Sequence, residues 1–175
     1  MAKATKSLIL AKFTELLKET DLDKITVTTL VAECEISRQT FYYHFADIEA
    51  LINWSIKEKT AECLRQAKAA SNVKDATVIY LSYIEANRFF IEKYLKSSLS
   101  AFSIKLFRNC TMEFIIAFYP KIIKSNHLSA EDTKFAIEFI SNAIVGVIIS
   151  SVMENRKIDI ENFADRMNLS LIHIS

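Results

Sequence analysis

The run from Ser37 to Phe45, reading Ser-Arg-Gln-Thr-Phe-Tyr-Tyr-His-Phe, carries more polar and aromatic reach than a core helix needs. Arg38 offers a fork of donors that matches the paired acceptors of guanine, and the Gln39 carboxamide matches the donor and acceptor of adenine. Thr40 and Tyr43 suit contact with a thymine methyl. On a helix, Phe41 and Phe45 share one face, while Gln39, Thr40 and Tyr43 fall on the opposite one. Arg38 and Tyr42 then lie on one flank and His44 on the other. Ser37 stands as an N-cap between Ile36 and Phe41, which are spaced to clasp each other across the helix start. One side of this segment is written to be buried and the other to touch a partner. The chemistry is recognition along a rigid helix.

No catalytic grouping competes with it. The three histidines, His44, His127 and His173, are scattered, and no serine, cysteine or carboxylate pair stands near one at a useful spacing. No enzyme, metal site or cofactor is expected. The three cysteines, Cys34, Cys63 and Cys110, are odd in number and set in apolar patterns. They read as reduced core residues of a cytoplasmic protein. Met1–Ser7 is polar, so no secretory signal is expected. A formal net charge of +1 gives no global pull toward nucleic acid or membrane.

Hairpins and phosphate loops need glycine, and the chain has one glycine and one proline in 175 residues. An all-α protein follows. Thr5–Glu19 has an apolar stripe through Leu8, Ile9, Phe13, Leu16 and Leu17, with Lys3 and Lys6 as a small basic arm. Thr26 caps a short helix over Val27–Cys34, and Ile25 and Leu30 repeat the clasp of Ile36 and Phe41. Two short helices joined this tightly make a helix-turn-helix, with the first helix as the third wall of its core. Longer helices are expected from Asp47 to about Gln66, over Asn72–Lys93, over Leu99–Lys124 with a bend at Pro120, over Ser129–Asn155, and onward from Asp159. The predicted division is a head over 1–47 and an antiparallel helical bundle over 48–175.

Residues 25–51 resemble the helix-turn-helix of the tetracycline-repressor (TetR/AcrR) family, through Ile25-Thr26-Val27, Leu30-Val31, Cys34-Glu35-Ile36-Ser37, Thr40-Phe41-Tyr42-Tyr43-His44-Phe45 and Leu51. The resemblance implies a homodimeric transcriptional regulator that binds double-stranded DNA at a palindromic operator. It also implies that Thr26, Thr28, Tyr42 and His44 bond phosphates beside the base-reading Arg38, Gln39, Thr40 and Tyr43. Two positions depart from the family. Glu35 stands where glycine is usual, so either a left-handed glutamate is tolerated or the second helix runs longer. Ile48 stands where a phosphate-reaching lysine is common.

For the bundle, the resemblance implies a small-molecule effector site and a dimer held by the last two long helices. Tyr83, Phe89, Phe90, Phe102, Phe107 and Phe114 are the candidate pocket rings, although such aromatics are core more often than pocket. Phe135–Met153 is nearly long enough to span a bilayer, with Glu138 as its one charge. Glu138 and Asn142 lie inside it and no aromatic belt flanks it, so it reads as a dimer helix and not a membrane span. Phe139, Ile140, Ala143, Ile144, Val147 and Ile148 are the expected interface, where Ala143, Gly146 and Ser150 permit close approach. The expected regulator is a repressor released by its effector. The alternative is an activator whose bundle docks a protein partner, a kinase-like co-regulator.

Overall fold

The computed structural model describes residues 2–119 and 129–173, and among these no strand occurs. The described residues form nine α-helices: α1 (Ala2–Glu19), α2 (Val27–Glu33), α3 (Arg38–His44), α4 (Ile48–Ala67), α5 (Val73–Ala86), α6 (Arg88–Leu95), α7 (Ser100–Phe118), α8 (Ala130–Met153) and α9 (Ile160–His173). A 3-10 turn, Leu22–Lys24, joins α1 to α2. The all-α expectation holds. The expected bend at Pro120 lies outside the described residues.

Short polar side chains set most of the helix starts. Thr26 accepts from the Thr29 N–H while the Thr29 hydroxyl accepts from the Thr26 N–H, at 3.1 and 3.0 Å, a reciprocal cap on α2. The Ser37 hydroxyl accepts from the Thr40 N–H at 3.0 Å, Asp47 from Ala50 at 2.7 Å, and Ser129 from Asp132 at 3.0 Å. Asp159 accepts from Asn162 at 3.1 Å and starts α9.

The helix expected over Asn72–Lys93 is instead two, α5 and α6. Asn87 interrupts them: its side-chain amide and its own N–H both donate to the Tyr83 carbonyl, at 2.8 and 3.2 Å, and close α5. Its backbone sits at φ −101° and ψ 9°, outside the helical region.

The turn between α2 and α3 resolves the question posed by Glu35. Its φ is 53°, so a left-handed glutamate stands in the turn, and α2 ends at Glu33. The Ile36 N–H reaches the Val31 carbonyl and the Glu35 N–H reaches Ala32, both at 3.1 Å, the paired bonds of a glycine-type helix stop made without glycine. Glu35→Gly should therefore relieve about 1–2 kcal/mol of strain. Greater freedom of the unfolded chain offsets about 0.4–1 kcal/mol of that. A net gain of roughly 0.5–1 kcal/mol is expected, seen as a higher urea midpoint with an unchanged slope.

The described residues gather into two compact units, one formed by Met1–Lys59 with Phe90–Ser103 and the other by Thr60–Phe89 with Ile104–Ser175. The first has a core of Ile9, Phe13 and Leu17 from α1, Leu30 and Val31 from α2, Phe41 from α3 and Leu51 and Ile52 from α4, all buried. Its α6–α7 corner grips the turn before α2. Asp23 accepts from the Ser98 N–H at 3.0 Å and from its hydroxyl at 2.7 Å, and Lys93 donates to the Thr20 carbonyl at 3.1 Å.

In the second unit, Tyr80 stacks on Phe114 with centroids 4.3 Å apart. Hydroxyl pairs satisfy the polar groups buried beside them: Tyr80 with Thr111 and Thr77 with Tyr119, each at 2.8 Å. Lys74 of α5 pairs with Asp165 of α9 at 2.8 Å.

Candidate nucleic-acid interface

The α3 helix is divided as its spacing predicts. Phe41 and Phe45 are buried, while Tyr42 is 55% and Tyr43 81% exposed. Arg38 and Gln39 are also exposed, and Thr40 and His44 half-buried.

Neighbouring aromatics hold these side chains in place. Tyr42 sits edge-on to Phe41 at 5.6 Å, and Tyr43 edge-on to His44 at 5.0 Å. Ser37 is committed to the helix start, its oxygen also sharing a proton with the Thr40 hydroxyl at 2.9 Å. Thr26 is likewise engaged in capping α2. Both remain exposed, so they can set the helix ends while facing a ligand.

Sequence spacing did not reveal one contact. An Arg38 guanidinium nitrogen donates to the Thr28 hydroxyl at 2.5 Å, joining the first residue of α3 to α2. Thr28 therefore orients Arg38. No local pattern signals a bond between residues so placed, because it depends on the crossing of two helices. The electrostatics are mixed. The carboxyl of Asp21 is held below its usual range, first by its hydrogen bond to Lys93 and then by the charge of that lysine. Cys34 is buried in the same unit, and burial pushes its thiol up, away from the reactive thiolate.

Residues 9–53 match the family model for bacterial regulatory proteins of the tetR family, and residues 71–173 match a transcriptional regulator C-terminal region of the same kind. The chain belongs to the tetR family. The chain is 26% identical over 89 residues to the HTH-type dhaKLM operon transcriptional activator DhaS of Lactococcus lactis, a match covering 51% of this chain and 48% of that protein. It thus spans about half the length of this curated relative.

Solved structures share the fold. The dihydroxyacetone kinase operon activator DhaS aligns with a TM-score of 0.65 at 20% identity, over 97% of this chain and 94% of that one. The fatty acid degradation regulator FadR of Bacillus halodurans gives 0.59 at 16% identity, over 95% and 94%. The TetR family repressor AlkX of a Dietzia strain gives 0.56 at 15%, over 97% and 94%.

In this tetR-family chain the candidate pocket rings are divided. Phe90 and Phe102 belong to the first unit, and Tyr83, Phe89, Phe107 and Phe114 to the second. Phe114 is wholly buried against Tyr80, Phe89 is exposed, and the others are half-buried. A cavity of about 330 Å³ in the first unit is lined by Ile25, Val27, Ile48 and Leu99 with Asp23 and Asp47 among others, and by none of the six rings. Arg88, a polar group available to a pocket, instead donates to the Ser151 carbonyl at 2.5 Å and pairs with Glu85 at 3.3 Å.

The interface residues expected on α8 also fall on two sides. Ile140, Ile144 and Ile148 are buried in their own unit, while Phe139, Ala143 and Val147 are exposed. By length and composition α8 could cross a membrane, yet Ser141 and Ser151 lie on its buried side, where the rest of the unit packs.

Proposed function

We propose that the chain acts as a homodimer that reads a palindromic operator through paired α3 helices. Arg38, Gln39, Thr40 and Tyr43 meet base edges, and Thr26, Thr28, Ser37, Tyr42 and His44 set the register on the backbone. The observation that carries this is the two-sided α3, with Phe41 and Phe45 buried and Tyr42 and Tyr43 left in water. Two such helices one turn of duplex apart, about 34–36 Å, read both half-sites from one face.

Selection of bound sequences from random duplex DNA tests the reading. A palindromic motif is the expected product, and no enrichment at low salt would sink it. Gln39→Ala is expected to remove about 1–3 kcal/mol of discrimination at one base pair per half-site while leaving the dimer intact. An unchanged preference in the same selection would refute the role of Gln39.

The output we infer is repression, relieved when a small-molecule effector binds the C-terminal region and changes the spacing of the two α3 helices. Such an effector must bind one spacing better than the other. Tyr83, Phe89 and Phe107 of the second unit are the proposed source of its apolar contacts. A second reading has one observation in its favour: the Lactococcus lactis relative is described as an operon transcriptional activator. In that reading this chain is an activator whose C-terminal region docks a protein partner. A thermal shift with small metabolites favours the first reading, and defined co-purification of a partner favours the second.

A further inference from the structure

We propose that Lys6 is a phosphate anchor of the DNA-reading head, seated by two aromatic rings instead of a carboxylate. This rests on the reading of α3 as the groove helix. The Lys6 Nζ lies 5.3 Å from the Phe45 ring centroid and 5.3 Å from that of Trp54. The two rings are themselves 5.5 Å apart. Phe45 closes α3, Trp54 belongs to α4 and Lys6 to α1, so three elements converge on one ammonium.

Ring faces attract a cation through their quadrupole, which positions the charge without neutralising it. Three other lysines of this unit are committed differently: Lys12 pairs with Glu15 at 2.9 Å, Lys24 with Asp21 at 3.5 Å and Lys93 with Asp21 at 3.3 Å. Among the described residues no carboxylate pairs with Lys6. A lysine placed this way keeps a full charge for an outside anion and has a restricted stem.

Its location selects the anion. The His44 ring lies 6.5 Å from that of its neighbour Phe45, so the Lys6 seat stands at the C-terminal end of α3, next to His44. A duplex whose major groove holds α3 runs its phosphates along that flank. Ile48, the first residue of α4, brings no charge to the same end of the helix. Lys6 supplies from α1 the cation that α4 lacks.

Counterion release gives a readout that a packing role would not move. Binding to the selected operator and to a mixed-sequence duplex would be followed by fluorescence anisotropy from about 50 to 200 mM NaCl. Lys6→Gln is expected to reduce the slope of log K against log salt by about 0.9 per bound head, equally on both duplexes. Lys6→Arg, which keeps the charge and stacks on aromatic faces, should restore the slope. Lys12→Gln should leave it unchanged. If Lys6→Gln folds poorly, Lys6→Met keeps the apolar stem over the rings and reports the same loss. A wild-type slope in the neutral variants overturns the anchor. Absence of DNA binding by the wild-type chain at low salt overturns the underlying reading of α3 instead.

Discussion

Phe41→Ala is expected to lower the stability of the head by about 3–5 kcal/mol and to abolish operator binding. The side chain is wholly buried. It touches the ring of Tyr42 at 5.6 Å and that of Phe45 at 5.9 Å, and it sits one helical turn beyond the Ser37 cap. Truncation leaves a cavity at the centre of α1, α2 and α3, where a helix this short has little intrinsic stability and depends on packing. The same truncation also frees Tyr42 and Phe45, and with Phe45 half the seat of Lys6. Urea unfolding followed by circular dichroism gives the stability loss, and anisotropy gives the binding. Phe41→Leu, which retains most of the volume, should cost less than about 1.5 kcal/mol and keep operator binding. Phe41→Ala binding as tightly as wild type would show that α3 is positioned by something other than its apolar face.

How much of this was legible in advance depended on how local each cause is. The caps at Thr26, Ser37, Asp47, Ser129 and Asp159 act over three residues, and a hydroxyl or carboxylate before an apolar run announces them. The burial of Phe41 and Phe45 follows from spacing on one short helix. The break at Asn87 is also local but competes with a strong periodic pattern. Tyr80, Tyr83 and Ile84 continue smoothly into Phe89 and Phe90, and the division falls on one residue, Asn87, whose side chain and N–H both donate to the Tyr83 carbonyl.

Contacts made by helix crossing left no pattern to read. The bond of Arg38 to Thr28, the grip of Ser98 on Asp23 across 75 positions and the seat of Lys6 each join elements whose relative placement the sequence does not encode locally. For α8, the apolar residues on more than one side were legible, but not which side the chain keeps. Ile140, Ile144 and Ile148 are turned inward, which leaves Phe139, Ala143 and Val147 exposed.

That division makes Phe139→Asp the sharpest test of the proposed dimer. Phe135, Phe139, Ala143, Gly146, Val147 and Met153 are exposed along one side of α8, with Phe135 and Phe139 stacked at 6.0 Å. A Cβ built on Gly146 meets nothing within 4 Å, so this stretch of helix is open to close approach. Two copies related by a two-fold axis can bury these sides against each other, and a charge at the centre of such a contact leaves a carboxylate without solvent or partner. Phe139 is 65% exposed in the single chain, so the substitution should leave the fold of the isolated chain within about 0.5 kcal/mol. Separating the heads removes their linkage, and operator affinity is then expected to fall by about 10²–10⁴-fold, while the affinity of one head for one half-site stays the same. Sedimentation velocity should give a monomer for Phe139→Asp and for Gly146→Leu, whose added bulk has room only where no second copy sits. Dimers in both variants, with wild-type operator affinity, would assign the pairing to another surface and leave this side of α8 unexplained.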